Sequence, residues 1–145
     1  LNEKGNKSFR WIPNGIPGVA TRLPILFSEG VQKGRIDLCR FVAITATNHA
    51  KLYGMYPQKG TIAIGSDADL ALWDPAKTVT ITNDLLAQGA DYTPYEGLKV
   101  SGWPVHVMVR GKTIVDEGKL TGEKGFGAYV PRNRSSMMAS HKPAD

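Results

Sequence analysis

Apolar positions recur along this chain with two different periods, and the change falls near Pro57. Before it, Val19, Leu23, Ile25, Leu26 and Val31 follow the spacing of one helix face, which predicts a helix over 19–31. Pro24 fits such a helix only in the first turn, where its missing amide hydrogen would have no partner anyway. Gly34 ends the element. Leu38, Phe41, Val42 and Ile44 predict a second short helix, with Asp37 as N-cap because its carboxylate can accept the unpaired amides of the first turn. Thr47 is placed to do the same for Asn48 to Tyr53, and Gly54 to close that helix in the left-handed conformation. Three short helices are thus expected before residue 57.

Past Pro57 the period drops to two and β-branched residues multiply. Strands are predicted at Thr61 to Ile64, Leu70 to Trp73, Thr78 to Thr82, Val105 to Val109 and Thr113 to Val115. In Val105-His106-Val107-Met108-Val109-Arg110 the valines share one face, so one side is expected to be buried and the other wetter. Arg110-Gly111-Lys112 reads as a hairpin turn with Gly111 at positive φ. Asn83 to Gly102 is expected to be irregular, interrupted by Asp91, Pro94 and Gly97. The first eighteen residues are loop-like, punctuated by Gly5, Pro13, Gly15, Pro17 and Gly18. Beyond Gly118 the chain reads as an extended tail needing support from elsewhere, such as a neighbouring subunit.

Composition narrows the setting. With 41% hydrophobic and 21% charged residues over 145 positions, the chain can bury a core. Its lone cysteine, Cys39, rules out an intramolecular disulfide and fits a reducing compartment, the cytoplasm by default. No apolar run reaches the roughly 18 residues of a membrane span, and the polar N-terminus lacks a signal-peptide core. The net charge of +5 is spread without a basic stripe or interleaved aromatics, so nucleic acid is not expected as a partner.

Candidate chemistry is sparse. His49, His106 and His141 lack metal-ligand spacing and obvious partners, and are read as structural or solvated. Cys39, among Leu38, Phe41 and Val42, is read as a core thiol. Asp67 and Asp69, between a Gly-Ser turn and an apolar strand, are expected to bond backbone amides and shape the turn. No phosphate-binding glycine loop occurs. Tyr92, Tyr95, Trp103, Phe126 and Tyr129 are read as packing or subunit-contact aromatics rather than a stacking platform. Ile12-Pro13-Asn14-Gly15 is a turn whose backbone can be approached closely.

From about Phe9 to Arg132, several motifs occur in an order that resembles the dihydropyrimidinase and D-hydantoinase family of amidohydrolases. They include Ile12-Pro13-Asn14-Gly15, Ala50-Lys51-Leu52-Tyr53-Gly54, Gly65-Ser66-Asp67-Ala68-Asp69-Leu70, Tyr95-Glu96-Gly97 and Gly102-Trp103-Pro104-Val105. The Asp-Ala-Asp-Leu strand is shared by many amidohydrolases; the Pro-Asn-Gly loop together with Tyr95-Glu96-Gly97 narrows the match. The resemblance implies opening of cyclic amides, hydantoins and dihydropyrimidines, by a homotetrameric enzyme with two zinc ions that activate water. It places the metal ligands and the catalytic aspartate in segments preceding Leu1, so this chain inherits no catalytic and no metal residue. The substrate-binding residue it does carry is Asn14, through main-chain groups that meet the ring amide, with Gly15 setting the loop's shape.

Because a (β/α)8 barrel takes about 250 residues, the chain is expected to be the C-terminal portion of such an enzyme and inactive alone. The fold expected is an α+β fragment. Residues 1–56 would supply the end of the barrel, 57–118 strands of a small composite β-sandwich, and 119–145 an extended, subunit-contacting tail. The same resemblance reaches non-catalytic adaptors of the collapsin response mediator type, and other cyclic amidases such as allantoinase.

Overall fold

The computed structural model describes residues 15–135. Two helical runs precede an antiparallel sheet. The first run is α1 (Val19–Leu26), which continues directly into a π-helical turn, Phe27–Gln32, and is closed by Gly34 at φ 67°. Pro24 lies inside α1, not in its first turn as the sequence predicted. Its ring removes the amide that would bond the Ala20 carbonyl; three residues on, the Phe27 amide meets both the Leu23 and Pro24 carbonyls as the helix widens.

The second run joins α2 (Leu38–Val42), a π-helical turn (Ala43–Thr47) and α3 (Asn48–Leu52) without a break, so two predicted helices are one. Asp37 caps it as expected, its Oδ1 accepting the Arg40 amide at 2.6 Å. Thr47 does not cap. Its backbone is helical, and its hydroxyl donates instead to the Gly60 carbonyl at 2.7 Å, tying the helix to the loop ahead of the sheet. Gly54, at φ 68°, closes the run.

The sheet is a meander in the order β1 (Leu70–Thr80), β2 (Lys99–Val109), β3 (Lys112–Asp116) and β4 (Lys119–Leu120). The strands predicted at 70–73 and 78–82 merge into β1, whose register with β2 slips between Asp74 and Thr78, around Pro75. β2 begins at Lys99, within a stretch expected to be irregular, and both faces of Val105 to Val109 are half-buried instead of one buried and one wet. The predicted Thr61 to Ile64 strand is absent: Ile62 and Ile64 are exposed in a loop, because alternation without a neighbouring strand gives the backbone no ladder to join.

The β2–β3 hairpin turns on Arg110 (φ 47°) and Gly111 (φ 78°), the geometry of a type I′ turn. Asp69 holds Arg110 there, its Oδ1 accepting the Arg110 amide at 2.8 Å, while the Gly111 amide reaches the Ala68 carbonyl at 3.0 Å. Asp67 behaves differently from the expectation, bonding the side chains of Gln58 and Lys59.

The core has two parts. Ile81, Leu86 and Val100 are buried under Ile25, Val79, Tyr95 and Trp103. Beside them, Phe27 stacks on Trp73 at 4.8 Å, and Phe41 meets both rings edge-on at 5.4 and 5.7 Å. Gly102, at φ 90°, lies directly on the Phe27 ring, where any side chain would overlap it. Cys39 is exposed, not core: the helix turns Phe41 inward and carries Leu38, Cys39 and Val42 to the surface.

The described part of the tail finds support within its own chain. The Thr121 and Gly122 amides bond the Ile114 carbonyl, Arg110 covers the Phe126 ring at 4.4 Å, and the Asn133 amide donates to the Gly54 carbonyl at 2.9 Å. No helix among the described residues is long and apolar enough to cross a membrane.

Candidate substrate-loop site

Asn14 lies outside the described residues; Gly15 is the first of them. Gly15 is exposed, a Cβ built on it would meet nothing within 4 Å, and its φ is not in the left-handed region. Its carbonyl accepts a hydrogen bond from the Tyr92 hydroxyl at 3.2 Å. Chain turns from there into α1, and an open hollow of about 760 Å³ lies alongside, lined by Ile16, Val19, Arg22, Leu26, Glu29 and Tyr95. Tyr92 was grouped in the sequence with packing aromatics. Nothing local marks its role, because its partner is 77 positions away.

The Tyr95-Glu96-Gly97 motif shapes the loop that carries Tyr92. Tyr95 packs on the Ile81 core, the Glu96 carboxylate accepts the Asn83 amide at 2.8 Å, and the Gly97 amide bonds the Ile81 carbonyl at 2.8 Å. Its function is to fold the loop back on the sheet.

A second hollow, of about 600 Å³, opens between the helical runs and the loop before β1, with Phe41, Thr47, Ile62 and Trp73 among its walls. At its polar end Lys59 bridges Asp67, at 2.8 Å, and Asp69. Burial alone would lower the Lys59 pKa, but hydrogen bonds to Asp67 and Asp69 and their charges outweigh it and raise it above its ordinary value. The Asp67 carboxyl is held below its ordinary range by the Lys59 hydrogen bond and then by Gln58. The arrangement is a brace for the β2–β3 turn, with every charged group already partnered.

His49 lies in α3, His141 outside the described residues, and His106 on β2 between Asp116 at 2.7 Å and Glu117 at 3.2 Å, partners the sequence did not reveal. Among the described residues no group of three or more His, Cys, Asp or Glu side chains is placed to hold a metal ion. The donor sets among the described residues therefore do not fit the zinc pair implied by the resemblance.

The amidohydrolase family model matches residues 5–114 of the sequence. This chain belongs to the amidohydrolase family. Within the family it is 49% identical over 132 residues to a D-hydantoinase of Ralstonia pickettii, covering 91% of this chain and 29% of that protein. It is 40% identical over 128 residues to a dihydropyrimidinase of Rattus norvegicus, covering 88% and 25%. The solved dihydropyrimidinase of Brevibacillus agri NCHU1002 superimposes with a TM-score of 0.85 at 49% identity, over 90% of this amidohydrolase chain and 28% of that one. The chain thus spans between a quarter and three tenths of the length of these relatives.

Proposed function

We propose that this chain is the C-terminal portion of a metal-dependent hydrolase that opens cyclic amides such as hydantoins and 5,6-dihydropyrimidines. The observation that carries this reading is the agreement in sequence and backbone with hydantoinases and dihydropyrimidinases across nine tenths of the chain. Residues 1–56 contribute the end of a (β/α)8 barrel, 57–118 strands of the small β-sandwich, and 119–145 a tail that meets a neighbouring subunit of a homotetramer. The single exposed thiol fits a cytoplasmic setting.

The part played by this chain is recognition. The main chain at Asn14 meets the amide edge of the ring, and Gly15 lets the loop lie against it. A backbone amide and carbonyl side by side complement the carbonyl and N–H of a cyclic amide, and a ring held by both is fixed in orientation before attack. The zinc pair has no seat among the described residues, so no step through it is assigned to this chain.

The test is ring opening of hydantoin and dihydrouracil by the complete polypeptide, with and without a chelator, beside the 145-residue chain alone. The complete protein is expected to open the ring and lose activity with the chelator, and this chain alone to be inactive. Ring opening by the isolated chain would sink the reading; a complete protein that never opens the ring would point to an adaptor. Within the complete enzyme, Asn14→Ala is expected to change kcat/KM by no more than about threefold, since the contact is through backbone. Gly15→Trp should cost more than about tenfold. A Cβ at 15 meets nothing within 4 Å in this chain, so Gly15→Ala should leave the fold of the chain unchanged.

A further inference from the structure

Glycine has the widest backbone freedom of any residue. A glycine beside the peptide that reads the substrate therefore leaves that peptide free to turn, unless something outside holds it. Here the Gly15 carbonyl is held by the Tyr92 hydroxyl at 3.2 Å. Tyr92 is itself anchored. Its carbonyl accepts from Gln88 Nε2 at 3.1 Å, and the same side-chain amide reaches Asn83 Oδ1 at 3.0 Å. The next residue, Thr93, is buried, and Tyr95 packs on the Ile81 core. A short succession of fixed contacts thus runs from the sheet core to the loop end.

Resting on the reading that the Asn14 main chain meets the ring, we infer that Tyr92 is a positioning residue for substrate recognition. Its hydroxyl limits the two glycine torsions that separate the Gly15 carbonyl from the Asn14 peptide. Lost, it leaves the loop in place but less often in the binding conformation, so affinity falls by the fraction of time spent elsewhere.

Tyr92→Phe in the complete enzyme removes the hydroxyl and keeps the ring. KM is expected to rise about fivefold, the scale of one neutral hydrogen bond, with kcat within about twofold. Independently of activity, hydrogen exchange at the amides of Gly15, Ile16 and Gly18 should quicken about threefold in Tyr92→Phe. An unchanged KM and exchange rate in Tyr92→Phe, with Gly15→Trp still raising KM, would overturn the role of Tyr92 and leave the loop reading standing. If neither substitution moves KM, both fall.

Discussion

The sheet half and the helical half of this molecule bury their apolar residues differently. In the sheet half, Ile81 just past β1 and Val100 on β2 are 0% and 1% exposed and closed over by the chain's own side chains. In the helical runs, Val19 is 94% exposed, and Leu38, Val42 and Leu52 about half exposed. Apolar side chains set at helical spacing but left in solvent are a face prepared for more protein. The helical runs do bury Phe27, Phe41 and Ala50, so the difference lies in their outer face, which stays bare.

The widest separation between the halves should come from Ile81→Ala, which removes a fully buried side chain and is expected to cost about 3.5 kcal/mol in urea unfolding of the chain. Val42→Ala should stay within about 0.5 kcal/mol in the same measurement; a larger loss would mean that the helical face is covered after all. Gly102→Ala attacks the joint. A Cβ there overlaps the Phe27 ring at a left-handed φ, and about 3 kcal/mol of destabilisation is expected, with loss of the near-ultraviolet dichroism of the Phe27 and Trp73 pair.

How much of this was legible in the sequence can be judged element by element. The caps and turns were, because each rests on one residue acting on its own neighbours: Asp37 on the Arg40 amide, Gly34 and Gly54 at helix ends, Gly111 in its hairpin. What was missed depends on distant partners. Thr47 gives up a local cap for the Gly60 carbonyl, Cys39 is turned outward by the rotation that buries Phe41, and Ile62 and Ile64 alternate with no strand to pair with. Asn14 and Gly15 are proposed from resemblance to a motif alone; Tyr92 carries no such mark, since only folding brings its hydroxyl to the Gly15 carbonyl.

Asp37→Ala is the next smaller test, expected to cost about 1 kcal/mol by loss of the cap and to lower helix content in circular dichroism. The smallest effect should be the pH dependence of the Lys59 brace. The folded Asp67 pKa is depressed, so its contribution is present above the unfolded value of about 4 and fades as the pH falls through the folded one. The folded Lys59 pKa is raised, so its share is present below about 10.4 and fades as the pH rises through the folded value. Asp67→Asn should therefore be less stable than the parent at neutral pH, and the gap should close in acid. A gap that persists at pH 2 would show that shape, not charge, holds the brace.

The contacts that join the halves also order events in time. Strands β1 to β4 follow one another along the chain and can pair as neighbours, whereas the Ser101 amide reaches Ser28 Oγ across 73 positions, and Tyr92 reaches Gly15 across 77. Closing such spans is slow relative to zipping a meander. The Gly15 carbonyl is thus set only after residue 92 has been synthesised and its loop has settled on the sheet, so the Tyr92 contact would serve as a clock for the end of folding.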